Sequence, residues 1–248
     1  MIKKLLPRGV KQYLWYLFKA PQRKWIGYGT IWTDLRGYLA TRQGRRALQP
    51  VSVCIGVKNR SNNLLDYVVA SLNRCENKEL IELSVFDCGS SDHPNLEDAL
   101  RREWKGRLVY HRKEQPFARS EAFNAAVEQS GHGQILVCDA DMSLPADIVK
   151  RVNRYVTPRS AWYPVVKFMN EDGSSRFYGE STGMFASRRE DFIKAGKLDE
   201  SIREWGKEDW LLYFAFYKAG LACIRTKEPD FIHHYHPSLK PDDFVPLF

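Results

Sequence analysis

The sequence lacks the long apolar run that a membrane-spanning helix requires. None of its 248 residues lies in a stretch that approaches roughly 18 uninterrupted apolar residues, the length typical of such a helix. The basic start also lacks the features of a signal peptide. Its apolar patch is short, is interrupted by Lys11 and Lys19, and has no small-residue cleavage site. We therefore expect neither a transmembrane segment nor a cleaved leader.

Cysteine is scarce. The chain has five cysteines, an odd number, and no two of them form a CxxC pair. This usage does not fit the common zinc-binding patterns or a disulfide framework. Isolated cysteines of this kind are ordinarily small buried residues. The sequence thus predicts a protein of a reducing compartment, and we expect it in the cytoplasm.

Two common nucleotide-binding motifs are also missing. No GxGxxG follows the first strand-like run, which argues against a dinucleotide-binding dehydrogenase. No GxxxxGK[ST] occurs either, which argues against a P-loop nucleotidase.

From residue 51 onward, strand-like runs alternate with segments of helical spacing. The runs cover residues 51–57, 80–86, 106–111 and 133–141, and a helix-like segment follows each of them. Four such repeats predict an α/β fold with a mostly parallel sheet and helices on both faces. Because ligands of such sheets gather at the carboxyl ends of the strands, we expect functional residues in "KNRSN", "DCGSSD" and "DAD".

The chain divides into an arm and one large domain. We interpret residues 51–248 as the domain, with a nucleotide-binding half of about 51–142 and an acceptor-binding half of about 143–248. Residues 1–50 hold eleven Lys or Arg, one acid and eight aromatic residues, a local charge of +10. This composition suits an anionic lipid surface, although nucleic acid or another polyanion is an alternative. A third possibility is that the arm packs its rings on the domain.

Asp139 and Asp141 flank one small residue at the end of the fourth strand-like run. Two carboxylates so close repel each other unless a cation is present. Hard divalent ions bind carboxylate oxygen and also bridge diphosphates, so the pair predicts a metal and diphosphate site. The alternative is that the pair caps the following helix. In the same way, "DCGSSD" is either a ligand-binding loop or an ordinary turn in which Asp92 caps a helix.

The second half of the chain adds two further polar groups. Glu208 and Asp209, in "EWGKEDW", precede a strongly apolar helix-like segment. Acids in the first turn of a helix are stabilised by its dipole, so a purely structural role is an alternative for them. His233, His234 and His236 lie close together, and neutral imidazole is a ready ligand for Mn-like ions, although a structural role is again possible.

Several of these segments, taken in order, resemble inverting glycosyltransferases of the GT-A fold, in particular family 2 enzymes. The segments are "VSVCIGVKNR", "DCGSSD", "FARSEAFNAA", "CDADM", "TGMFASRREDFIKAGKLDE", "WGKEDW" and "HHYHP". The second half is similar to chondroitin polymerases and β-1,4-galactosyltransferases, whose signature is W-G-x-E-D. The resemblance covers about residues 51–237 and does not include the arm.

The resemblance implies a role for individual residues. Asp209 matches the catalytic base, whereas Glu208 and Trp205 match acceptor-binding positions. The implied nucleotide-sugar contacts are Asn59, Arg60, Asp87, Arg119, Asn124, Asp139, Ala140 and Gly183. The implied ligands of Mn2+ or Mg2+ are Asp139, Asp141, His236 and His233.

Together these observations predict a metal-dependent, inverting hexosyl- or N-acetylhexosaminyltransferase. We expect a nucleotide-sugar donor, most simply a UDP-sugar, and a glycolipid or polysaccharide acceptor. We expect the enzyme to lie peripherally on the cytoplasmic face of an anionic membrane, with no nucleic acid as partner. Two alternatives stay open, namely a protein that binds nucleic acid or another polyanion through its arm, and an inactive GT-A domain that only binds glycans.

Overall fold

The computed structural model describes residues 30–42, 47–202 and 207–237 of the chain. Within these ranges the backbone forms one nine-stranded mixed sheet with helices packed against it. Helices with the length and apolar character of a membrane span do not occur in those ranges.

The strands and helices are numbered here in chain order. The strands are β1 (Val51–Val57), β2 (Ile81–Asp87), β3 (Arg107–Arg112), β4 (Gln134–Val137), β5 (Met142–Ser143), β6 (Ser160–Met169), β7 (Ser175–Phe177), β8 (Phe185–Arg188) and β9 (Ala222–His233). The helices are α1 (Ile31–Ala40), α2, α3 (Leu96–Glu103), α4 (Arg119–Glu128), α5 (Ile148–Tyr155), α6 (Arg189–Lys194) and α7 (Glu208–Lys218). In α2, a π-helical segment (Leu64–Val69) lies between α-helical turns at Ser61–Asn63 and Ala70–Leu72.

The sheet has the strand order β3-β2-β1-β4-β8-β6-β9-β5, with β7 paired to β6. The first four strands in this order are parallel neighbours. Strand β8 runs antiparallel to both β4 and β6, β9 runs parallel to β6, and β5 runs antiparallel to β9. The predicted α/β class is therefore confirmed, and the parallel half is the one built from the strand–helix repeats.

Each face of the sheet carries its own apolar core. Along β1, Val53 and Ile55 belong to the core formed with α2, α3 and α5, whereas Cys54 belongs to the core formed with α4, α6 and α7. This alternation follows from the two-residue period of a strand. Every residue of β1 and β2 is buried, as expected for parallel strands covered by helices on both sides. The strand ends, where the polar motifs lie, are thus anchored in two packed layers.

Part of the predicted arm packs against the sheet. Gly37 of α1 lies so close to β9 that a Cβ atom there would be 2.3 Å from Cβ of Ala222. The buried Asp34 accepts a hydrogen bond of 2.7 Å from the hydroxyl of Tyr217. Residues 1–29 and 43–46 lie outside the described residues, so the separation of an arm from a domain at residue 50 stays a prediction.

The five cysteines all lie in the described ranges, where each is free and buried. They pack in the cores, as the sequence predicted.

Candidate active site

The segments that form the candidate site lie side by side near the carboxyl end of β4. Val137, the last residue of β4, pairs in register with Phe185 of β8, so the turn before β8 lies beside the segment that follows β4. Further along, β5 pairs with the end of β9, with Met142 opposite His233. The register of the sheet therefore brings together three segments that are distant in the sequence.

Asp141, His233 and His236 form a compact set of potential ligand atoms, which we call the Asp–His–His group. His236 Nε2 lies 2.8 Å from Asp141 Oδ2, and His233 Nε2 lies 3.4 Å from Asp141 Oδ1. All three ligand atoms lie within 4.8 Å of one another. Asp141 is buried, and its Oδ1 accepts no hydrogen bond from any residue that the structure describes. This oxygen is therefore available to a cation.

The two distances from the Asp141 oxygens to His233 and His236 are compatible with ligands of one divalent ion. Two atoms that bind one ion at about 2.1 Å and at a right angle lie about 3 Å apart, close to both separations given above. His236 Nδ1 lies 3.0 Å from the carbonyl oxygen of Pro237. Because a carbonyl can only accept, this hydrogen bond places a ring proton on Nδ1, and Nε2 is then the nitrogen that faces the ion. Because two of the three donors are imidazoles, the set suits an Mn-like ion better than Mg2+, which prefers oxygen ligands.

Asp139 does not join the Asp–His–His group in the structure. Its Oδ1 pairs with Nη2 of Arg119 at 3.3 Å, and about a third of its side chain (33%) is exposed. Arg119 also donates to the carbonyl oxygen of Gly183 at 2.6 Å and to Glu208 Oε1 at 3.1 Å. Arg119 thus connects the segment after β4, the turn before β8 and the start of α7. The metal-binding role of Asp139 stays a prediction.

Glu208 and Asp209 open α7, and both oxygens of each carboxylate accept hydrogen bonds. Glu208 Oε2 accepts the backbone N–H of the preceding residue at 2.9 Å, while Oε1 accepts Arg119. Asp209 Oδ1 accepts the backbone N–H of the following residue at 2.9 Å, while Oδ2 accepts the hydroxyl of Thr182 at 2.8 Å. In each case one oxygen stabilises the helix start, and the other bonds to the segments that meet at β4. The two interpretations of this acidic pair are therefore compatible.

Gly183 and Ala140 occupy the small-residue positions between these polar groups. A Cβ atom at Gly183 would lie 3.2 Å from Nη2 of Arg119 and 3.9 Å from Oδ2 of Asp209. Glycine therefore lets the guanidinium and the carboxylate approach the same turn. Ala140 is buried between the two aspartates of the "DAD" segment.

Asp87, at the end of β2, is fully buried, and its carboxylate accepts hydrogen bonds from other residues of the chain. Its Oδ1 accepts the backbone N–H of Ser90 at 2.7 Å. Its Oδ2 accepts the hydroxyl of Tyr110 at 2.7 Å and Nη1 of Arg112 at 3.0 Å. Asp87 thus fixes the shape of the loop after β2. Direct contact with a nucleotide base, which the resemblance implies, stays a prediction.

Asn59 and Arg60 lie in the loop after β1. Asn59 has a left-handed backbone with φ of 53°, and its Oδ1 accepts the backbone N–H of Ser91 at 2.8 Å. Arg60 Nη2 donates to the carbonyl oxygen of Pro237 at 3.2 Å. Since Pro237 follows His236, Arg60 lies beside the Asp–His–His group.

One predicted residue is not brought to this site by the contacts that the structure describes. Asn124 is buried in α4, where its Nδ2 donates to the carbonyl oxygen of Leu198 at 2.9 Å and to Glu200 Oε1 at 2.8 Å. Its Oδ1 accepts the backbone N–H of Leu198 at 3.1 Å. These bonds join α4 to the segment after α6. Trp205 lies outside the described residues, so its predicted stacking on a sugar stays a prediction.

Burial and neighbouring charges shift the pKa values of the acids near β4. Burial raises the pKa of Asp139, Arg119 opposes this rise, and Asp141 adds to it. Burial alone would also raise the pKa of Asp141, but its hydrogen bond from His236 and the charges of His233 and His236 lower that pKa overall. The same hydrogen bond raises the pKa of His236. The site therefore favours an ionised Asp141.

Sequence reasoning missed the hydroxyl that holds Asp209. Thr182 lies in the small-residue segment "STGM", directly before β8, and no role was predicted for it. Its partner Asp209 is 27 residues further along the chain, so the local pattern carries no sign of the contact. The position of the turn directly before β8 is the one signal that could have drawn attention to it.

Residues 91–242 match the family described as chondroitin N-acetylgalactosaminyltransferase, a range of more than half of the chain. The chain belongs to this family. Chondroitin sulfate N-acetylgalactosaminyltransferase 2 of Mus musculus is 25% identical in an alignment of 159 positions, which covers 54% of this chain and 29% of the relative. The chain therefore spans less than a third of that relative's length.

Solved structures agree with the family in fold. The chain is similar to TarS of S. aureus in complex with UDP-GlcNAc, with a TM-score of 0.60 and 13% identity over 77% of this chain and 60% of that one. It is also similar to the mannosyltransferase PcManGT of Pyrobaculum calidifontis in complex with GDP-Man and Mn2+, with a TM-score of 0.56 and 16% identity over 84% of this chain and 65% of that one. The predicted relationship to GT-A glycosyltransferases is thus confirmed in family and fold.

Proposed function

We propose that the protein is a metal-dependent, inverting glycosyltransferase that moves a sugar from a UDP-linked donor to a hydroxyl of a glycan or glycolipid. One observation carries this proposal. The Asp–His–His group lies at the end of β4 together with two acids, Glu208, which pairs with Arg119, and Asp209, which accepts a hydrogen bond from Thr182. The family description favours N-acetylgalactosamine as the transferred sugar. The ligand named for TarS, UDP-GlcNAc, supports a uridine donor.

The donor would lie along the ends of β1, β2 and β4. The loops of Asn59, Arg60 and Asp87 hold the nucleotide, and Ala140 and Gly183 leave room for the diphosphate and the sugar. A divalent ion held by the Asp–His–His group supplies positive charge for the leaving diphosphate. These assignments rest on the positions of the loops and on the fit of the ligand atoms to a cation.

Asp209 acts as the general base in this proposal. The oxygen of the acceptor hydroxyl attacks C1 of the donor sugar, and the bond between C1 and the diphosphate oxygen breaks with its electron pair leaving on the diphosphate. The hydroxyl proton moves to the Asp209 carboxylate. Attack opposite the leaving group inverts the configuration at C1. Each Asp209 oxygen accepts one hydrogen bond and keeps a lone pair for this proton. Glu208 and Trp205 bind the acceptor.

A donor panel tests this function directly. The purified full chain is incubated with UDP-GalNAc, UDP-GlcNAc, UDP-Gal and UDP-Glc, with Mn2+ or with EDTA, and released UDP is measured with and without glycan acceptors. We expect UDP release from at least one donor, loss of that release in EDTA, and inverted products by NMR. Absence of UDP release from every donor contradicts the enzyme and favours a GT-A domain that only binds glycans, whereas retained configuration contradicts the inverting mechanism alone.

We further propose that the protein works peripherally on the cytoplasmic face of an anionic membrane. One face of α1 presents Trp32, Arg36 and Leu39, which are spaced as neighbours along a helix. Trp32 is 70% exposed and Leu39 is 54% exposed, while the opposite face of α1 is packed on the protein. Two exposed apolar side chains beside a cation, in a segment with a charge of +10, are the chemistry expected at an anionic lipid surface.

A further inference from the structure

His234 lies between two members of the Asp–His–His group but does not join it. His233 ends β9, and side chains of successive residues in an extended chain point to opposite sides. The ring of His234 stacks on that of Tyr67, with centroids 3.7 Å apart and planes inclined by 4°. Its Nε2 lies 2.7 Å from Oγ of Ser143. Tyr67 and Ser143 therefore hold the side of this segment that faces away from the potential ligands.

These contacts restrain both segments that carry the ligand atoms. The backbone N–H of His234 donates to the carbonyl oxygen of Asp141 at 2.9 Å. Ser143, two residues after Asp141, pairs with Ile232 in the short β5–β9 ladder. The segment of Asp141 and the end of β9 are thus joined by a ladder, a backbone hydrogen bond and a side-chain hydrogen bond, and Tyr67 covers this junction.

Tyr67 lies in an irregular helix that is packed in the core. It belongs to the π-helical segment Leu64–Val69 of α2, and such π-turns are rare and occur frequently at functional sites. Its neighbours Val68 and Val69 are buried in the core beneath the sheet. The helix is therefore anchored by the core, and Tyr67 is a fixed surface against which His234 packs.

We infer that Tyr67, Ser143 and His234 are positioning residues that set the separations of the three ligand atoms in the Asp–His–His group. The inference rests on the proposed function, because it takes that group to hold a divalent ion. Residues that orient ligands without touching the metal typically contribute about 10- to 100-fold to metal affinity. When the contacts of Tyr67, Ser143 and His234 are lost, the three ligands remain, but their separations are no longer held near the values that one ion requires.

Binding of Mn2+ alone to the full chain tests the inference without any need for turnover. Free Mn2+ is measured by its EPR signal during titration. We expect Tyr67→Ala to weaken binding about 10- to 100-fold, and we expect Tyr67→Phe, which keeps the stacking ring, to bind like the wild type. Tyr155→Ala is the matched control, because it removes a half-buried ring stacked on Trp162 at 5.4 Å, away from the group. This control should lose stability but keep its affinity for Mn2+.

Asp141→Ala separates failure of this inference from failure of the proposed metal site. If Asp141→Ala loses Mn2+ while Tyr67→Ala binds it like the wild type, the positioning role is wrong and the metal site stands. If Tyr67→Ala and Tyr155→Ala weaken binding equally, the effect is one of general stability, and the positioning role is again wrong. If the wild type does not bind Mn2+, or Asp141→Ala binds it equally well, the metal site and the inference fail together.

Discussion

Replacing Arg119 by methionine tests how much its ion pairs with Glu208 and Asp139 stabilise the protein. The Arg119 side chain is 15% exposed and that of Glu208 is 3% exposed, with 3.1 Å between Nη1 and Oε1. Methionine keeps an apolar stem near Phe123, over whose ring the guanidinium lies at 4.7 Å. The packing loss is therefore small, and the loss of the positive charge dominates.

The expected cost follows from the burial of each partner. Removing one member of a buried ion pair typically costs about 3–5 kcal/mol, and the buried Glu208 loses its ion pair with Arg119 in this variant. The lost hydrogen bond to the carbonyl oxygen of Gly183 adds about 1 kcal/mol. Asp139 is partly exposed, so its pair adds at most about 1 kcal/mol. We expect the free energy of unfolding to fall by about 4–7 kcal/mol.

Urea unfolding, followed by circular dichroism, provides the measurement. The double variant Arg119→Met with Glu208→Gln should regain about half of the loss or more, because the buried negative charge that Arg119 faced is then also removed. Arg101→Met is the control, since Arg101 pairs with Glu97 at the surface, where the side chains are 56% and 44% exposed, and should change stability by less than about 1 kcal/mol. The reasoning is refuted if Arg119→Met costs no more than this control, or if the double variant is as unstable as the single one.

Three further predictions concern the base, the metal and the membrane. Asp209→Asn should lower transfer about 100- to 10,000-fold and leave UDP binding, measured by calorimetry, unchanged. Retained turnover with a lower melting temperature would mean that Asp209 only stabilises the helix start. His236→Ala should raise the Mn2+ concentration needed for half-maximal turnover, but by less than Asp141→Ala, because water can replace one ligand; an unchanged requirement contradicts its role as a ligand. Trp32→Ser with Leu39→Ser should reduce the salt-resistant binding of the full chain to anionic liposomes, while salt should weaken the part due to basic residues. Equal sedimentation of the variant and the wild type in high salt argues against insertion of α1.

The sequence by itself determined the parallel half of the sheet and the location of its polar strand ends. The periods of strands and helices are local properties, because the order of apolar and polar residues within a segment decides whether that segment has one apolar face or two. The run Val51–Val57 therefore forms a strand buried on both faces. For the same reason, Asp139 and Asp141 could be placed at the ligand edge of the sheet, and Glu208 and Asp209 at the start of a helix.

Only the tertiary structure decided which of these residues meet. Arg119 bonds to Glu208, 89 residues away, and Ser143 bonds to His234, 91 residues away. Such contacts depend on the order of the strands and on the angles of the helices, which no local pattern contains. From the residues alone, each of the three histidines was a candidate for a metal-binding or a structural role, and the resemblance implied His233 and His236 as ligands together with Asp139 and Asp141. The register of β5 with β9 places the ring of His233 beside Asp141, while the ring of His234 stacks on Tyr67, and the fold brings Arg119 within 3.3 Å of Asp139.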